Sequence, residues 1–337
     1  MAAAPRPRVL LTIPMFAEVL QRLGQHFELD APCGTTTHID WTPAALAARA
    51  QGAAGLLVAG TPRIDAALLA ALPSLRAVCS MAVGYNNIDL PACTAAGVLV
   101  SNAPDVLTET TADFGFALMM ASARRITESE HFLRAGLWTH WSYDMFAGAD
   151  VHGATLGVLG MGRIGQAIAR RGALGFGMPV IYHNRSRLDT GIERLLGARW
   201  VDLTQLLREA DHLVIVVPYS PASHHLVGAA ELALMKPSAT LTNIARGGVV
   251  DDAALALALR ERRIAAAGLD VFEGEPQVHP ALLGVPNVVL TPHIASASLR
   301  TRRAMADLAA NNLVAALEGG TPPTALNPEL LPLRPTH

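Results

Sequence analysis

Three polar side chains that could do chemistry together lie in the second half of the chain. They are Arg246, Glu275 and His293, and each follows a predicted strand. Taken singly, each has an ordinary explanation as a surface charge, a turn residue or a capped loop residue. Together they predict a division of labour. The Arg binds a carboxylate through paired hydrogen bonds, the His exchanges a proton near neutral pH, and the Glu fixes the His tautomer and favours its protonated form.

A glycine-rich turn precedes these residues in the chain. It has the pattern G-x-G-x-x-G, formed by Gly160, Met161, Gly162, Arg163, Ile164 and Gly165. A predicted strand over residues 156–159 precedes the turn, and a predicted helix over residues 164–174 follows it. The first glycine permits the tight turn, the second lets a pyrophosphate approach the backbone, and the third allows close helix packing. The free N–H groups and positive dipole of the helix N-terminus then bind the phosphate. The alternative is a packing turn without a ligand.

The end of the next predicted strand indicates which dinucleotide binds. Sites for NAD place an acidic residue there to hydrogen-bond the ribose 2′-OH. This chain instead has Asn184, Arg185, Ser186 and Arg187, and no acidic residue before Asp189. A carboxylate would repel a 2′-phosphate, whereas these side chains can bind one through charge-assisted hydrogen bonds. The loop therefore favours NADP(H), with NAD(H) as the alternative cofactor. The alternative to a binding role is a basic loop that is simply exposed to solvent.

The elements that position these residues alternate between strands and helices. Short apolar runs at residues 9–13, 55–59, 77–81 and 98–101 predict strands in the first hundred residues. A second alternation begins near residue 155, which predicts two successive α/β units built on parallel sheets. Residues 108–129 contain no Gly-Pro break and predict one long helix. Residues 299–317 predict another long helix, and the Pro-rich tail after residue 319 is expected to be extended.

Composition excludes several classes of function. The chain has 337 residues, with 26 basic and 28 acidic side chains and a formal net charge of −2. That balance argues against a polybasic nucleic-acid binder or a protein drawn to acidic membranes. No stretch of 18 apolar residues predicts a membrane span. Three scattered cysteines are too few for a disulfide framework or a Cys-rich metal site. We therefore expect a cytoplasmic protein without a metal.

At these motifs the sequence resembles the D-isomer-specific 2-hydroxyacid dehydrogenases, and within them the glyoxylate/hydroxypyruvate reductases and 2-ketogluconate reductases. The resemblance spans nearly the whole chain. Five blocks in the same order carry it, namely residues 83–89 (VGYNNID), 157–165 (GVLGMGRIG), 245–251 (ARGGVVD), 268–276 (GLDVFEGEP) and 292–296 (PHIAS).

The resemblance implies a fold and a domain organisation. The fold would be α/β, with two Rossmann-like domains, one flavodoxin-like and one dinucleotide-binding, separated by a cleft. Residues 1–105 would form the substrate domain, which residues 296–330 complete, and residues 106–295 would form the NAD(P)-binding domain. The family is usually dimeric through the coenzyme domain, so a homodimer is expected.

The resemblance also implies a role for individual residues. Arg246 would bind the carboxylate and keto oxygen of a small 2-keto acid. His293 would be the general acid in reduction and the general base in oxidation, and Glu275 would hydrogen-bond to it. The backbone of Val83 and Gly84 would contact the substrate carboxylate, and Ser296 would also contact the substrate. Asp270 would lie near the nicotinamide end of the cofactor, and Ile244 and Ala295 would line the cofactor face. Pro218 would lie near the adenine or ribose.

In some members of this family, an aromatic residue of the partner subunit closes the substrate pocket. Trp138, Trp141 and Phe146 lie in the matching segment, and plain dimer packing explains them equally well. Two departures from the family pattern, Asn86 in place of an acidic residue and Ala295 in place of a glycine, remove no charged catalytic group. They bear on the shape of the pocket and hence on substrate preference.

The function predicted from the sequence is an NADPH-preferring reduction of glyoxylate, hydroxypyruvate or 2-ketogluconate to a D-2-hydroxy acid. One alternative is an NAD-dependent enzyme of the same fold, such as a phosphoglycerate or formate dehydrogenase. It ranks second because the acidic residue of the ribose loop is missing. The other alternative is a dinucleotide-sensing corepressor on the same scaffold, which the expected lack of a long disordered tail disfavours.

Overall fold

The computed structural model describes residues 5–32, 39 and 41–331. The chain divides into two compact units. The first comprises Met1–Leu107 together with Ser298–His337, and the second comprises Thr108–Ala297. The C-terminal segment of the chain thus belongs to the same unit as the N-terminal segment.

The first unit is built on a five-stranded parallel sheet. Its strands are β1 (Arg8–Leu11), β2 (Glu28–Asp30), β3 (Gly55–Val58), β4 (Ala77–Ser80) and β5 (Leu99–Ser101). Their order is β2-β1-β3-β4-β5, which is the doubly wound flavodoxin-like arrangement. Both β3 and β4 are buried along their whole length, as strands covered by helices on both faces must be.

Helices complete this unit, and all of them except α1 begin at a side chain that caps them. They are α1 (Ala17–His26), α2 (Pro43–Arg49), α3 (Ala66–Ala71), α4 (Leu90–Ala95) and, much later in the chain, α13 (Leu299–Leu317). Asp65, Asp89 and Ser298 accept hydrogen bonds from backbone N–H groups of α3, α4 and α13, respectively. The segment after α13 covers the edge of β5, where Asn327 accepts the N–H of Val100 at 2.8 Å and donates to the carbonyl of Val98.

The second unit is built on a seven-stranded sheet, and every strand in it is parallel to its neighbours. The strands are β6 (Leu156–Leu159), β7 (Val180–His183), β8 (Ala198–Trp200), β9 (His212–Ile215), β10 (Thr240–Asn243), β11 (Ala266–Leu269) and β12 (Val288–Leu290). Their order is β12-β11-β10-β9-β6-β7-β8. Because β7 and β9 lie on opposite sides of β6, the strand order reverses at β6, and such a reversal opens a crevice beyond the carboxyl ends of the strands.

The helices of the second unit cover both faces of this sheet. They are α5 (Thr108–Ala123), α6 (Ile126–Arg134), α7 (Arg163–Arg170), α8 (Thr190–Leu196), α9 (Leu203–Glu209), α10 (Ala229–Leu232), α11 (Asp252–Arg260) and α12 (Pro280–Leu283). The core beneath them consists of two clusters of buried hydrophobic side chains, one that includes residues of α9 and α11 and one that includes residues of α5 and α7, each packed with strand residues.

The prediction of one long helix over residues 108–129 is wrong. The helix ends at Ala123, and a new one begins at Ile126, because Arg125 adopts a left-handed conformation with φ of 53°. The returning chain stabilises this break, since the N–H of Ala149 donates to the carbonyl of Ala123 at 2.9 Å. The Arg125 guanidinium also lies 5.0 Å from the centre of the Phe146 ring. These contacts come from residues more than twenty positions away, so local periodicity does not reveal them.

The predicted fold class is confirmed, with two α/β units each built on a parallel sheet. Among the described residues, no helix is both long and apolar enough to cross a membrane.

Candidate active site

The glycine-rich turn connects β6 to α7. Gly160 has a φ of +102°, a conformation that side chains rarely adopt, and its N–H donates to the carbonyl of His183 at 3.0 Å. A Cβ atom on Gly165 would lie 2.3 Å from the Gly160 carbonyl oxygen, so only glycine allows α7 to start this close to the turn. The first and third glycines are therefore required by the fold of the turn itself.

Gly162, the second glycine of the turn, differs from the other two because the fold does not require it to be glycine. It is exposed, and a Cβ atom on it would meet no atom within 4 Å, so packing does not explain the glycine. It directly precedes the first residue of α7, and no side chain caps this helix end. The open space and the uncapped N–H groups fit a pyrophosphate, so the residues present fit a dinucleotide.

The loop after β7 holds the residues predicted to select the dinucleotide. The side-chain oxygen of Asn184 accepts the N–H of Met161 at 2.6 Å, which joins this loop to the glycine-rich turn. Arg185 and Ser186 are exposed and hydrogen-bond to no other described residue. No carboxylate occupies the position of Asn184, so an anionic group can approach the loop without repulsion from that position.

Arg187 differs from Arg185 because it is already paired. Its guanidinium donates two hydrogen bonds to Glu193, at 2.9 and 2.7 Å. Glu193 is buried and also accepts the hydroxyl of the fully buried Tyr182. The Arg187 guanidinium beside it and the Tyr182 hydroxyl hold the pKa of Glu193 below its ordinary value. A carboxylate thus offsets the charge of Arg187, whereas that of Arg185 has no such partner among the described residues.

His293 and Glu275 form the closest pair of titratable side chains in the predicted site. The Nδ1 atom of His293 lies 2.7 Å from Oε2 of Glu275. The other carboxylate oxygen of Glu275 accepts the N–H of Phe272 at 2.9 Å, so the carboxylate has a fixed orientation. The tautomer with a proton on Nδ1 is then the one that Glu275 stabilises, which leaves Nε2 as the second nitrogen available for proton exchange.

Asp270 positions the segment that carries His293. It is fully buried, and its carboxylate accepts the Thr291 hydroxyl at 2.7 Å and the N–H groups of Ile294 and Ala295 at 2.8 Å each. His293 lies between these donors and has a φ of +54°, an uncommon conformation for a residue with a side chain. We infer that the three hydrogen bonds to Asp270 hold this strained turn in place.

Arg246 is half-buried in the turn after β10. Asn243 fixes this turn by accepting the N–H of Ala245 and donating to the carbonyl of Arg246. The next residue, Gly247, packs so closely on the segment after β11 that a Cβ atom would lie 1.7 Å from the carbonyl oxygen of Phe272. This close approach brings the turn of Arg246 against the turn that carries Glu275.

The charges of Arg246, Glu275 and His293 influence one another. Burial alone would raise the pKa of Glu275, but the hydrogen bond and charge of His293, the Phe272 N–H and the charge of Arg246 outweigh it and hold that pKa below its ordinary value. Burial lowers the pKa of Arg246, and the Glu275 carboxylate opposes that shift. An arginine remains charged in proteins. The site therefore combines a fixed cation with a carboxylate-bound imidazole.

The other residues predicted for the site occupy several environments. Ile244 and Ala295 are buried, Ser296 is half-buried, and Pro218 is exposed, its carbonyl accepting the Ser223 hydroxyl. In the glycine-rich turn, Met161 is buried, Arg163 is exposed and Ile164 is half-buried. Asp270 uses both carboxylate oxygens to hold the His293 segment, and its predicted contact with the nicotinamide stays a prediction.

Val83 and Gly84 follow β4 in the first unit. The carbonyl of Val83 accepts the side-chain amide of Asn102 at 2.8 Å. The N–H groups of Val83 and Gly84 donate to no acceptor among the described residues, so this turn offers two backbone donors to an anion.

The glycine-rich turn and the Arg, Glu and His residues lie in a segment that matches a known family. The model for "D-isomer specific 2-hydroxyacid dehydrogenase, NAD binding domain" matches residues 116–295. The chain belongs to the D-isomer specific 2-hydroxyacid dehydrogenase family. The predicted family and the prediction of an enzyme are confirmed: this member is an oxidoreductase, and it binds a nicotinamide dinucleotide.

Relatives within this family match over the full length. The glyoxylate reductase of Aeropyrum pernix is 46% identical over 340 residues, which cover 98% of each chain. That of Thermococcus onnurineus is 44% identical over 333 residues, again with 98% of each chain covered. Among solved structures, the NADPH-dependent glyoxylate/hydroxypyruvate reductase of Sinorhizobium meliloti, in complex with NADP and malonate, is 36% identical with a TM-score of 0.84. That match covers 98% of this chain and 100% of the other.

Sequence reasoning missed the residues that position the predicted catalytic side chains. Asn243 was not singled out, and Asp270 was assigned only to the cofactor, although Asn243 fixes the turn of Arg246 and Asp270 fixes that of His293. A polar residue at the end of an apolar strand is a signal for both. It does not reveal the partner, because Asp270 bonds to residues 21 to 25 positions further along the chain.

Proposed function

We propose that this protein reduces glyoxylate and hydroxypyruvate to the corresponding D-2-hydroxy acids, with NADPH as the preferred hydride donor. The observation that carries the proposal is the 2.7 Å contact between His293 and Glu275 beside the half-buried Arg246. All three lie beyond the carboxyl ends of the sheet that also carries the glycine-rich turn. The names of the curated relatives support the choice of a small 2-keto acid as substrate.

In this proposal the protein side chains divide the work of a carbonyl reduction. The bound nicotinamide supplies the hydride. Protonated His293 gives the proton on Nε2 to the carbonyl oxygen as negative charge develops there, while Glu275 stabilises the imidazolium through Nδ1. Arg246 binds the substrate carboxylate and offsets the developing charge on the oxygen, and this interaction strengthens in the transition state. In the oxidation direction neutral His293 takes the proton back.

The preference for NADPH rests on the loop after β7. Arg185 and Ser186 are exposed donors that a 2′-phosphate can reach, and Asn184 replaces the carboxylate that would bind a 2′-OH. Arg187 contributes less in this proposal because Glu193 already neutralises it. The NADP complex of the Sinorhizobium meliloti enzyme, which is named NADPH-dependent, supports this assignment.

We also propose that the backbone N–H groups of Val83 and Gly84 bind the carboxylate of the substrate. Two unengaged N–H groups in one turn favour an anion, and a 2-keto acid carries one. Ser296 remains a predicted substrate contact.

A homodimer is part of the proposal. No side chain of α6 is buried, and the segment after it exposes apolar side chains, with Trp138 at 54%, Trp141 at 75% and Tyr143 at 87% exposure. A group of apolar side chains this exposed is typical of an interface. Phe146 differs, since it packs edge-on against Phe132 at 5.2 Å within its own chain. Trp138 and Trp141 are thus the better candidates for contact with a partner subunit, and light scattering would give twice the chain mass for a dimer.

A cytoplasmic location stays a prediction. Cys79 and Cys93 are buried free thiols, as a reducing compartment allows, and burial raises their pKa values to about 12 and about 11.

The deciding experiment is a panel of 2-keto acids assayed with NADPH and NADH side by side. We expect the highest kcat/KM for glyoxylate or hydroxypyruvate with NADPH, and slower turnover of 2-ketogluconate. A strong preference for NADH would contradict the role of Arg185 and Arg187. No oxidation of either cofactor with any acid of the panel would contradict the proposed activity as a whole.

A further inference from the structure

Two adjacent histidines and a glutamate converge on the surface of the second unit, in a group that the proposed reaction does not use. They are His224, His225 and Glu273, and one ligand atom of each lies within 4.8 Å of those of the other two. All three residues are exposed, so an ion from solvent can reach them. From this arrangement we propose that His224, His225 and Glu273 bind a single Zn²⁺ ion.

The local backbone explains how neighbouring residues reach one ion. Successive side chains of an extended chain point to opposite sides. His225, however, has a φ of +49°, and its N–H donates to the carbonyl of Gly248 at 2.7 Å. This turn places the two imidazole rings face to face, with centroids 3.9 Å apart and planes inclined by 23°. Both rings therefore lie on the same side of the loop, and because the nitrogen lone pairs of stacked rings run parallel, the exposed His224 ring has to rotate for both rings to bind one ion.

The distances are close to those that a zinc ion requires. Nε2 of His225 lies 2.8 Å from Oε2 of Glu273. Two ligand atoms of a tetrahedral zinc site, each about 2.0–2.1 Å from the metal, are roughly 3.3 Å apart. The tips of the His225 and Glu273 side chains would therefore need to move apart by about half an ångström to make room for the ion. Both tips are exposed, so they can move.

The surroundings supply the outer contacts that metal-binding histidines usually have. Nδ1 of His225 faces a carboxylate oxygen of Asp251 at 3.9 Å, so a ring that binds metal through Nε2 points its other nitrogen at an anion. On the neighbouring ring, Nδ1 of His224 lies 3.2 Å from the Tyr219 hydroxyl. Two imidazoles with one carboxylate favour zinc over magnesium or calcium, which take oxygen ligands.

The ion would join two segments that lie 48 residues apart, the loop after β9 and the turn after β11. Because the turn of Gly247 and Gly248 contacts both segments, zinc would also restrain the turn next to Arg246. Binding to the folded state alone raises thermal stability, so zinc should raise the melting temperature of the protein.

Isothermal titration of the full, untagged chain with ZnCl2 tests the proposal. We expect one site per chain with a micromolar Kd, binding at least ten-fold weaker in His225→Ala and in Glu273→Gln, and no heat with MgCl2. His131→Ala is the matched control, because His131 is an exposed imidazole 3.9 Å from the carboxylate of Glu130 and belongs to no group of three such ligands among the described residues. Its Kd for zinc should equal that of the wild type. Equal zinc affinity in all four proteins, or no binding to the wild type at 100 µM zinc (roughly a hundred times a micromolar Kd), would overturn the proposal.

A second measurement needs no variant and keeps the test independent of folding defects. Carbethoxylation of the wild-type chain, resolved by peptide mass spectrometry, should be suppressed by zinc at His224 and His225 and unchanged at His131. Modification of His225 at the same rate with and without zinc would contradict the site. Neither measurement depends on turnover, so failure of the zinc site and failure of the proposed reductase activity are distinguishable.

Discussion

The glycine-rich turn and the His293–Glu275 pair are built in different ways, although both lie beyond the carboxyl ends of the same sheet. The turn uses six consecutive residues, and its shape depends on the backbone freedom of Gly160 and Gly165. The His293–Glu275 pair joins residues 18 positions apart, and the buried carboxylate of Asp270 holds the segment that carries His293. The turn thus needs local backbone geometry, whereas the His293–Glu275 pair needs hydrogen bonds between distant segments.

The largest expected effect is a loss of turnover with cofactor binding unchanged. His293→Ala and Arg246→Ala should each lower kcat with glyoxylate by about 10²–10⁴-fold, because one removes the proton donor and the other the charge that offsets the developing alkoxide. Fluorescence titration should give an NADPH Kd close to that of the wild type, since the glycine-rich turn is intact. Near-normal turnover by either variant would contradict the assigned roles.

Two alanine variants of the glycine-rich turn should bind NADPH more weakly, for different reasons. In Gly165→Ala the new Cβ meets the Gly160 carbonyl, so we expect a loss of stability of about 1–3 kcal/mol together with weak cofactor binding. In Gly162→Ala nothing is displaced, and the residue has an ordinary extended conformation with φ of −76°. Its unfolding free energy should stay near that of the wild type while its NADPH Kd rises. Equal destabilisation of the two variants in urea would show that Gly162 serves packing.

Asp270→Asn tests how strongly the acid–base pair depends on its support. The amide offers one acceptor oxygen to three donors, so the His293 segment should shift. Displacements of about 1 Å cost up to 10²-fold in rate, and we expect a 10- to 100-fold lower kcat with a smaller change in KM. Thr291→Val is a milder control, since it removes only one of the three donors. If Asp270→Asn changes the NADPH Kd and leaves kcat intact, its role is cofactor binding alone.

The loop after β7 should show a smaller, cofactor-specific effect. Arg185→Ala should raise KM for NADPH about ten-fold and leave KM for NADH nearly unchanged, as expected for loss of one charged hydrogen bond to a 2′-phosphate. Arg187→Ala is the matched comparison and should have the weaker effect, because Glu193 already holds that guanidinium. The reverse ranking of the two variants would mean that the pair with Glu193 opens when the cofactor binds.

The smallest expected effect is on stability in acid. The pKa of Glu275 lies below its ordinary value, so its interactions stabilise the fold fully above the ordinary glutamate pKa and are lost as pH falls through the lowered value. Glu275→Gln should therefore be less stable than the wild type by about 1 kcal/mol at pH 7, and this difference should shrink towards pH 3. Urea unfolding at several pH values measures it. A difference that grows on acidification would have the wrong sign.

Much of the molecule could be predicted before its structure was known. The bounds of β6 and α13 match the sequence prediction, because long or strongly apolar segments carry a clear signal. Three-residue strands such as β2 and β8 were missed, since β2 has no buried residue and β8 has only one. Their strand conformation comes from pairing with β1 and β7 rather than from their own pattern.

The sequence by itself determined the glycine-rich turn, because its six residues are contiguous and the backbone requirements of Gly160 and Gly165 are local. It also predicted Arg246, Glu275 and His293 as the candidate catalytic residues, because each follows the end of a strand. Only the tertiary structure decided how those side chains are held. The carboxylate of Asp270, the contact of Gly247 with Phe272, the pairing of Arg187 with Glu193 and the meeting of His225 with Glu273 all join separate segments. Such contacts depend on strand order and loop path, which the spacing of residues along a chain does not specify.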